Sequence, residues 1–264
     1  MLSIYQALAN LEADGNSGVL CTIIRSRGSV PRHEGSKMLV FADGHFIGTV
    51  GGGEVELRVI AEALAALEDG RPRLLSYDMV DPEQGDPGVC GGQLEIYVEP
   101  ILPRPTVVIV GVGHVGRAVA HLAHWLGFRV LVSDDRAEFC TPESNPDADA
   151  FFPVKMDQLP DQVNINSQTY IVLTTRGVTV DVEGLPALLE SQAGYIGVIG
   201  SRRRWKVTRK ALEEARVPKQ ALDRVHSPIG LELHAETPEE IAVSIMAEII
   251  MVRNGASGQP MKMA

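Results

Sequence analysis

The chain has 264 residues, with 24 Lys+Arg against 34 Asp+Glu, a formal net charge of −10 and a pI near 5.2. That balance speaks against nucleic acid as a partner, and 45% hydrophobic with 22% charged residues at a mean hydropathy of +0.04 excludes a disordered, collagenous or coiled-coil chain. Three cysteines (Cys21, Cys90, Cys140) are too few and too far apart for a disulfide framework or a four-thiolate zinc site.

The N-terminus reaches Glu12 and Asp14 without a basic segment or an apolar stretch fit for a signal peptide. The longest apolar run, 241–252, is interrupted by Glu248 and falls short of the ~20 residues of a membrane span. With the sparse cysteines, these features give an expected cytoplasmic location and no membrane contact. Residues 2–12 predict a short amphipathic helix, and 18–25, with Val19, Leu20, Cys21, Ile23 and Ile24, a strand. Segments 37–41 and 45–50 flank Asp43-Gly44, so a hairpin with a type I′ turn is expected. Gly51-Gly52-Gly53 then opens a helix over 54–68 that Gly70 ends, with Val55, Val59 and Leu67 near one stripe. Strands at 73–78 and 93–98 bracket a Pro/Gly-rich loop.

Three prolines in Glu99-Pro100-Ile101-Leu102-Pro103-Arg104-Pro105 predict an extended connector, because proline can neither donate to a ladder nor continue a helix. The expected domains are therefore 1–100 and 105–264. Beyond the connector, strands at 107–110, 129–132, 150–152, 170–173 and 195–199 alternate with helices at 114–126, 182–192, 202–215 and 238–253. The last helix carries a Thr237-Pro238-Glu239-Glu240 start, a capping box, and the apolar face Ile241, Ile245, Ile249, Val252. The fold class expected is α/β: a C-terminal Rossmann-like, doubly wound parallel sheet preceded by a smaller α+β domain.

Four motifs could carry chemistry. Gly111-Val112-Gly113-His114-Val115-Gly116 follows a strand and opens a helix, and Asp134 lies 23 residues after Gly111 at the end of the next strand. In a dinucleotide site the glycines turn the chain, admit a pyrophosphate and let helix and strand pack, while the acid accepts from a ribose hydroxyl. The same pattern without a ligand is a strand-to-helix turn. Asp134 favours NAD over NADP, since it would repel a 2′-phosphate, and Arg136 acts in the opposite sense. Gly51, Gly52, Gly53 and Glu54 present a helix start that is either an anion site or a glycine turn needed for close packing. Gly88-Val89-Cys90-Gly91-Gly92 puts a small thiol among bulk-free neighbours, open to a ligand or else a small packed hydrophobe. Ser201 with Arg202-Arg203-Arg204 sets cations at a helix N-terminus, where the dipole disfavours them; a bound phosphate or a solvated basic face would account for this. The seven His form no metal constellation.

Taken together, the segments Arg27-Gly28-Ser29-Val30-Pro31-Arg32, Gly48–Glu54, Gly88–Gly92, Gly111–Gly116, Gly197–Arg204, and Pro228-Ile229-Gly230-Leu231 leading to Thr237–Ile245 resemble the xanthine dehydrogenase accessory protein family (XdhC/CoxI). The resemblance implies a maturation factor, not a turnover enzyme. Such a protein binds the molybdenum cofactor (molybdopterin or its dinucleotide form) and supports its sulfuration with a cysteine desulfurase. It then delivers the cofactor to a molybdenum hydroxylase apoenzyme, and a homodimer is in keeping with this. It assigns cofactor contact to Cys90, Gly91, Gly92, Gly51, Gly52, Gly53, Glu54, Gly111, Gly113, His114, Gly116, Asp134, Ser201 and Arg202, with Cys90 near the molybdenum. Two positions depart from the pattern: Val178 stands where relatives carry the histidine of a Thr-x-x-His segment, and His234 where many carry glycine. The competing class is an NAD(P)-dependent oxidoreductase on the same fingerprint, for which the sequence offers no convincing acid-base pair.

Overall fold

Val19, Cys21 and Ile23 are buried at every second position, as a strand with one covered face requires. In the computed structural model, which describes residues 3–79 and 91–261, they lie on β1 (Gly18–Arg27). The chain divides into two compact units, Met1–Pro103 and Arg104–Ala264. In the first, β1 pairs antiparallel with β2 (Lys37–Phe41) and with β5 (Gln93–Ile101). With β3 (Phe46–Gly48) and β4 (Arg73–Asp78) outside them, the sheet order is β3-β2-β1-β5-β4. Helix α1 (Ile4–Ala13) is capped by Ser3, whose hydroxyl accepts from the Gln6 N–H, and buries Ala7 and Leu11. Helix α2 (Gly53–Asp69) buries Val55, Val59, Ala63 and Ala66 against β1 and β5 and stops at Gly70 in the left-handed conformation.

Two local expectations are corrected. The hairpin turn is not type I′: in a three-residue loop the Phe41 N–H donates to the His45 carbonyl and the Gly44 N–H to the Phe41 carbonyl, both at 2.9 Å. Only Gly44 of the pair has positive φ (+85°), so the turn is type I followed by a left-handed glycine. The Asp43 carboxylate favours this by accepting from the His45 N–H at 3.1 Å. The strand that follows ends at Gly48, short of the expected 50. The proline connector also begins later than expected, since β5 runs through Pro100 and Ile101, opposite Val19 and Gly18. Proline is tolerated there because it sits at the strand's end.

The second unit carries six parallel strands in the order β11-β10-β9-β6-β7-β8. These are β6 (Thr106–Val110), β7 (Arg129–Ser133), β8 (Ala150–Phe152), β9 (Thr169–Leu173), β10 (Tyr195–Val198) and β11 (Val225–His226). Read in chain order, strands one to three run outward on one side of β6 and four to six on the other, which is the Rossmann order. Alternation splits the core in two. Val107 and Ile109 face α3 (His114–Trp125) and α7 (Pro238–Arg253) on one side. Val108 and Val110 face α4 (Val178–Leu189) and α5 (Arg202–Glu214) on the other, where a short α6 (Lys219–Leu222) also packs. Burial on both faces explains why these strands read as unbroken apolar runs. Helix α4 starts four residues before the expected 182. Val178, Thr179 and Val180 are weak helix formers, and the start is held through Asp181 by partners outside the helix, as described below.

Candidate cofactor-binding sites

In the first unit, three glycine-bearing segments meet. A Cβ on Gly92 would stand 2.2 Å from the Ser29 carbonyl oxygen and 2.7 Å from that of Arg27, so only glycine admits the approach of the two backbones. The Gly91 N–H donates to the Met79 carbonyl at 2.7 Å, and the Met79 N–H donates to the Gly92 carbonyl at 2.9 Å. From the same turn, Pro31 packs on Gly51, its Cγ 2.8 Å from where a Cβ would be. Segment 27–31 thus joins Gly91 and Gly92 to the start of α2. There Gly51, Gly52 and Gly53 have φ of +144°, +80° and +62°, and no side chain caps the helix. Its first N–H groups are left to an outside acceptor. The turn is braced by Glu56, which accepts from the Thr49 hydroxyl and from the Val50 N–H (3.2 Å). Glu54 is exposed and accepts from Arg58 Nε at 3.0 Å. Cys90 lies outside the described residues.

In the second unit, the fingerprint turn has the packing its glycines require. Gly111 has φ +94°, and a Cβ there would meet the Thr174 carbonyl oxygen at 2.7 Å. A Cβ on Gly116 would stand 2.4 Å from the Gly111 carbonyl oxygen, which accepts from the Thr174 hydroxyl. Gly113 is the N-cap of α3 and His114 its first, exposed residue. The strand β9 and the turn after β6 are therefore locked together at the switch point of the sheet, where open α/β sheets bind ligands.

A cavity of about 460 Å³ opens at the carboxyl ends of β6, β7 and β9. Gly111, Asp134, Arg136 and Arg176 line it, with Lys155, Asp157 and Glu183. The Asp134 side chain is 1% exposed and accepts from the Val112 N–H (3.1 Å), the Arg136 N–H (3.0 Å), and Arg136 Nε and Nη2 (both 2.9 Å). Beside it Arg176 holds Asp135 through two bonds of 2.6 and 2.7 Å. Those bonds bring the Asp135 carboxyl down to about 2.

The predicted residues are not all gathered. His114 lines a different cavity of about 510 Å³, between α3 and the start of α7, and Ser201 and Arg202 line neither. The Ser201 hydroxyl caps α5, accepting from the Arg204 N–H at 3.2 Å, while Arg202 and Arg203 are exposed. Arg204 needs no bound phosphate to explain it: its Nη2 donates to Asp181 (2.7 Å) and to the Thr175 hydroxyl (2.8 Å). Asp181, fully buried in the first turn of α4, also accepts from the Thr175 hydroxyl. Sequence reasoning missed this network and another. In the second, Glu248 of α7 accepts from the Tyr195 hydroxyl, from the Gly230 N–H (2.7 Å), and pairs with His226 Nδ1 (3.2 Å). A carboxylate within the apolar run of α7 was the one available signal. Val178 is the first residue of α4, and His234 adopts φ +52°, a left-handed conformation that favours glycine. Among the described residues, no group of three or more His, Cys, Asp or Glu could hold a metal ion, and no helix is long and apolar enough to cross a membrane.

Comparison with known families matches residues 107–249 to the XdhC Rossmann domain and residues 11–78 to the XdhC and CoxI family. The chain belongs to the XdhC and CoxI family. Among curated relatives of this XdhC protein, the protein YqeB of Escherichia coli K12 is 36% identical over 97% of this chain and 47% of its own length. A probable xanthine dehydrogenase subunit of Bacillus subtilis is 32% identical over 60% of this chain and 46% of its own length. The molybdenum cofactor insertion chaperone PaoD of E. coli K12 is 24% identical over 90% and 84%. The chain spans about half the length of the first two. A crystal structure of a xanthine dehydrogenase from Bacillus halodurans shares the fold, with a TM-score of 0.51, 24% identity and 96% of both chains covered.

Proposed function

We propose that this XdhC protein is a maturation factor that carries the molybdenum cofactor to a molybdenum hydroxylase apoenzyme of the xanthine dehydrogenase type. The family match carries the reading, and the relative PaoD, a molybdenum cofactor insertion chaperone, supports it. The corner of the first unit supports this: Gly51–Gly53 offer uncapped helix N–H groups suited to the phosphate of a pterin cofactor, and Gly91 and Gly92 are held close to segment 27–31, which packs on that same helix start. Gly51, Gly52, Gly53, Glu54, Gly91 and Gly92 would hold the cofactor beside Cys90, whose thiolate suits a soft metal. When bound, the cofactor supplies the redox-active molybdenum of the client enzyme. Sulfuration with a cysteine desulfurase, a cytoplasmic location and a homodimeric state belong to the same proposal.

The test is the fluorescence of oxidised pterin released from protein purified out of a host that makes the cofactor. Pterin from the wild type and its loss in Cys90→Ala are expected. Absence from both, under conditions where a known carrier retains it, would overturn the reading; retention in Cys90→Ala would remove only the role of that residue.

A further inference from the structure

The fingerprint reads Asp134 as the acceptor for a ribose diol, but its geometry closes that option. A carboxylate offers about four lone-pair sites, and all four here are met, one by the Val112 N–H and three by Arg136. At 1% exposure the group is reached only by displacing Arg136, which would strand a buried charge. Arg136 itself lines the cavity, its side chain 37% exposed and its Cζ 4.2 Å from the Phe139 ring centroid. Its Nη1 makes no hydrogen bond among the described residues, and Lys155, exposed on the same cavity, has no ion pair there.

From this we infer that the cavity of the C-terminal unit takes a nucleotide whose ribose carries a phosphate, as in a 2′-phosphorylated dinucleotide, in preference to a free diol. Arg136 Nη1 and the Lys155 ammonium supply charge-assisted donors to the phosphate, and the Gly111 turn at the start of α3 receives the pyrophosphate. Asp157 and Glu183 line the same cavity and offer acceptors to an exocyclic amine of the base. The inference goes beyond the maturation role and does not depend on it.

Titrating the full chain with NADPH and with NADH, followed by nucleotide fluorescence, tests it. NADPH should bind at least about tenfold more tightly, because a charge-assisted contact is present in one ligand only, and the ratio should shrink as salt is raised. Competition by 2′-AMP should exceed that by 5′-AMP. Lys155→Ala should weaken NADPH and leave NADH unchanged, and Arg136→Leu, which frees Asp134, should invert the preference. If Arg136→Leu does not fold, Lys155→Ala decides, since that side chain is exposed. NADH bound as tightly as NADPH, binding of neither, or an unchanged ratio in Lys155→Ala would each overturn the inference.

Discussion

Asp181 has no exposed surface, and its charge is tolerated because Arg204 of α5 and Thr175 of the loop after β9 reach it. Removing the cation should therefore cost more than the pair contributes. Arg204→Met is expected to lower unfolding stability by about 3–5 kcal/mol in urea titrations, and adding Asp181→Leu should restore much of the loss. Among the glycines, two substitutions separate contact from conformation. Gly92→Ala drives a methyl into two backbone carbonyls and should cost about 3 kcal/mol or more, whereas Gly53→Ala meets nothing within 4 Å and should cost about 1–2 kcal/mol from its left-handed φ alone. Of the candidate residues, the glycines were visible in the sequence because close approach leaves one residue type. Arg136 stood in plain view beside Asp134, yet its capture of that carboxylate depends on side-chain geometry that no spacing encodes.

At the level of elements, legibility followed the strength of local signals. β6, β7 and β9 are five-residue strands built on apolar runs of three or four residues, and they were placed within a residue of their ends. The start of α7 was equally plain, since Thr237, Pro238 and Glu240 act within one turn and both bonds of the capping box form. Thr237→Ala should lower stability by about 1 kcal/mol, read as a shift in urea midpoint without change of slope. By contrast, the first turn of α4 is set by Asp181 and Arg204, residues 23 apart, and the two-residue β11 exists only through its pairing with β10. Such elements carry too little local preference to be read before their neighbours are known.

For the whole molecule, acid should act through carboxylates that folding holds ionised. Asp135 is brought down by its bonds to Arg176. For Glu248, burial favours the neutral form, but bonds from His226, Tyr195 and the Gly230 N–H prevail and lower it. Both values are below those of the unfolded chain, so the stability they contribute is complete above about pH 4–5 and is lost as pH falls toward the folded values. Denaturant midpoints measured from pH 6 down to pH 2 should fall, and Glu248→Gln should flatten the part of that fall due to α7. A midpoint that stays level would contradict the assignment.

The line between β6 and β9 has a mechanical meaning as well. Strands 63 residues apart in sequence are paired there from Thr106↔Thr169 to Val110↔Leu173, and the Thr174 hydroxyl ties the next turn to Gly111. The two halves of the sheet are wound outward from this line, so a molecule seated over it would act as a further cross-brace between them. Its arrival should slow amide exchange in 110–116 and 173–176 together, and the protection should spread to strands that touch no part of the ligand.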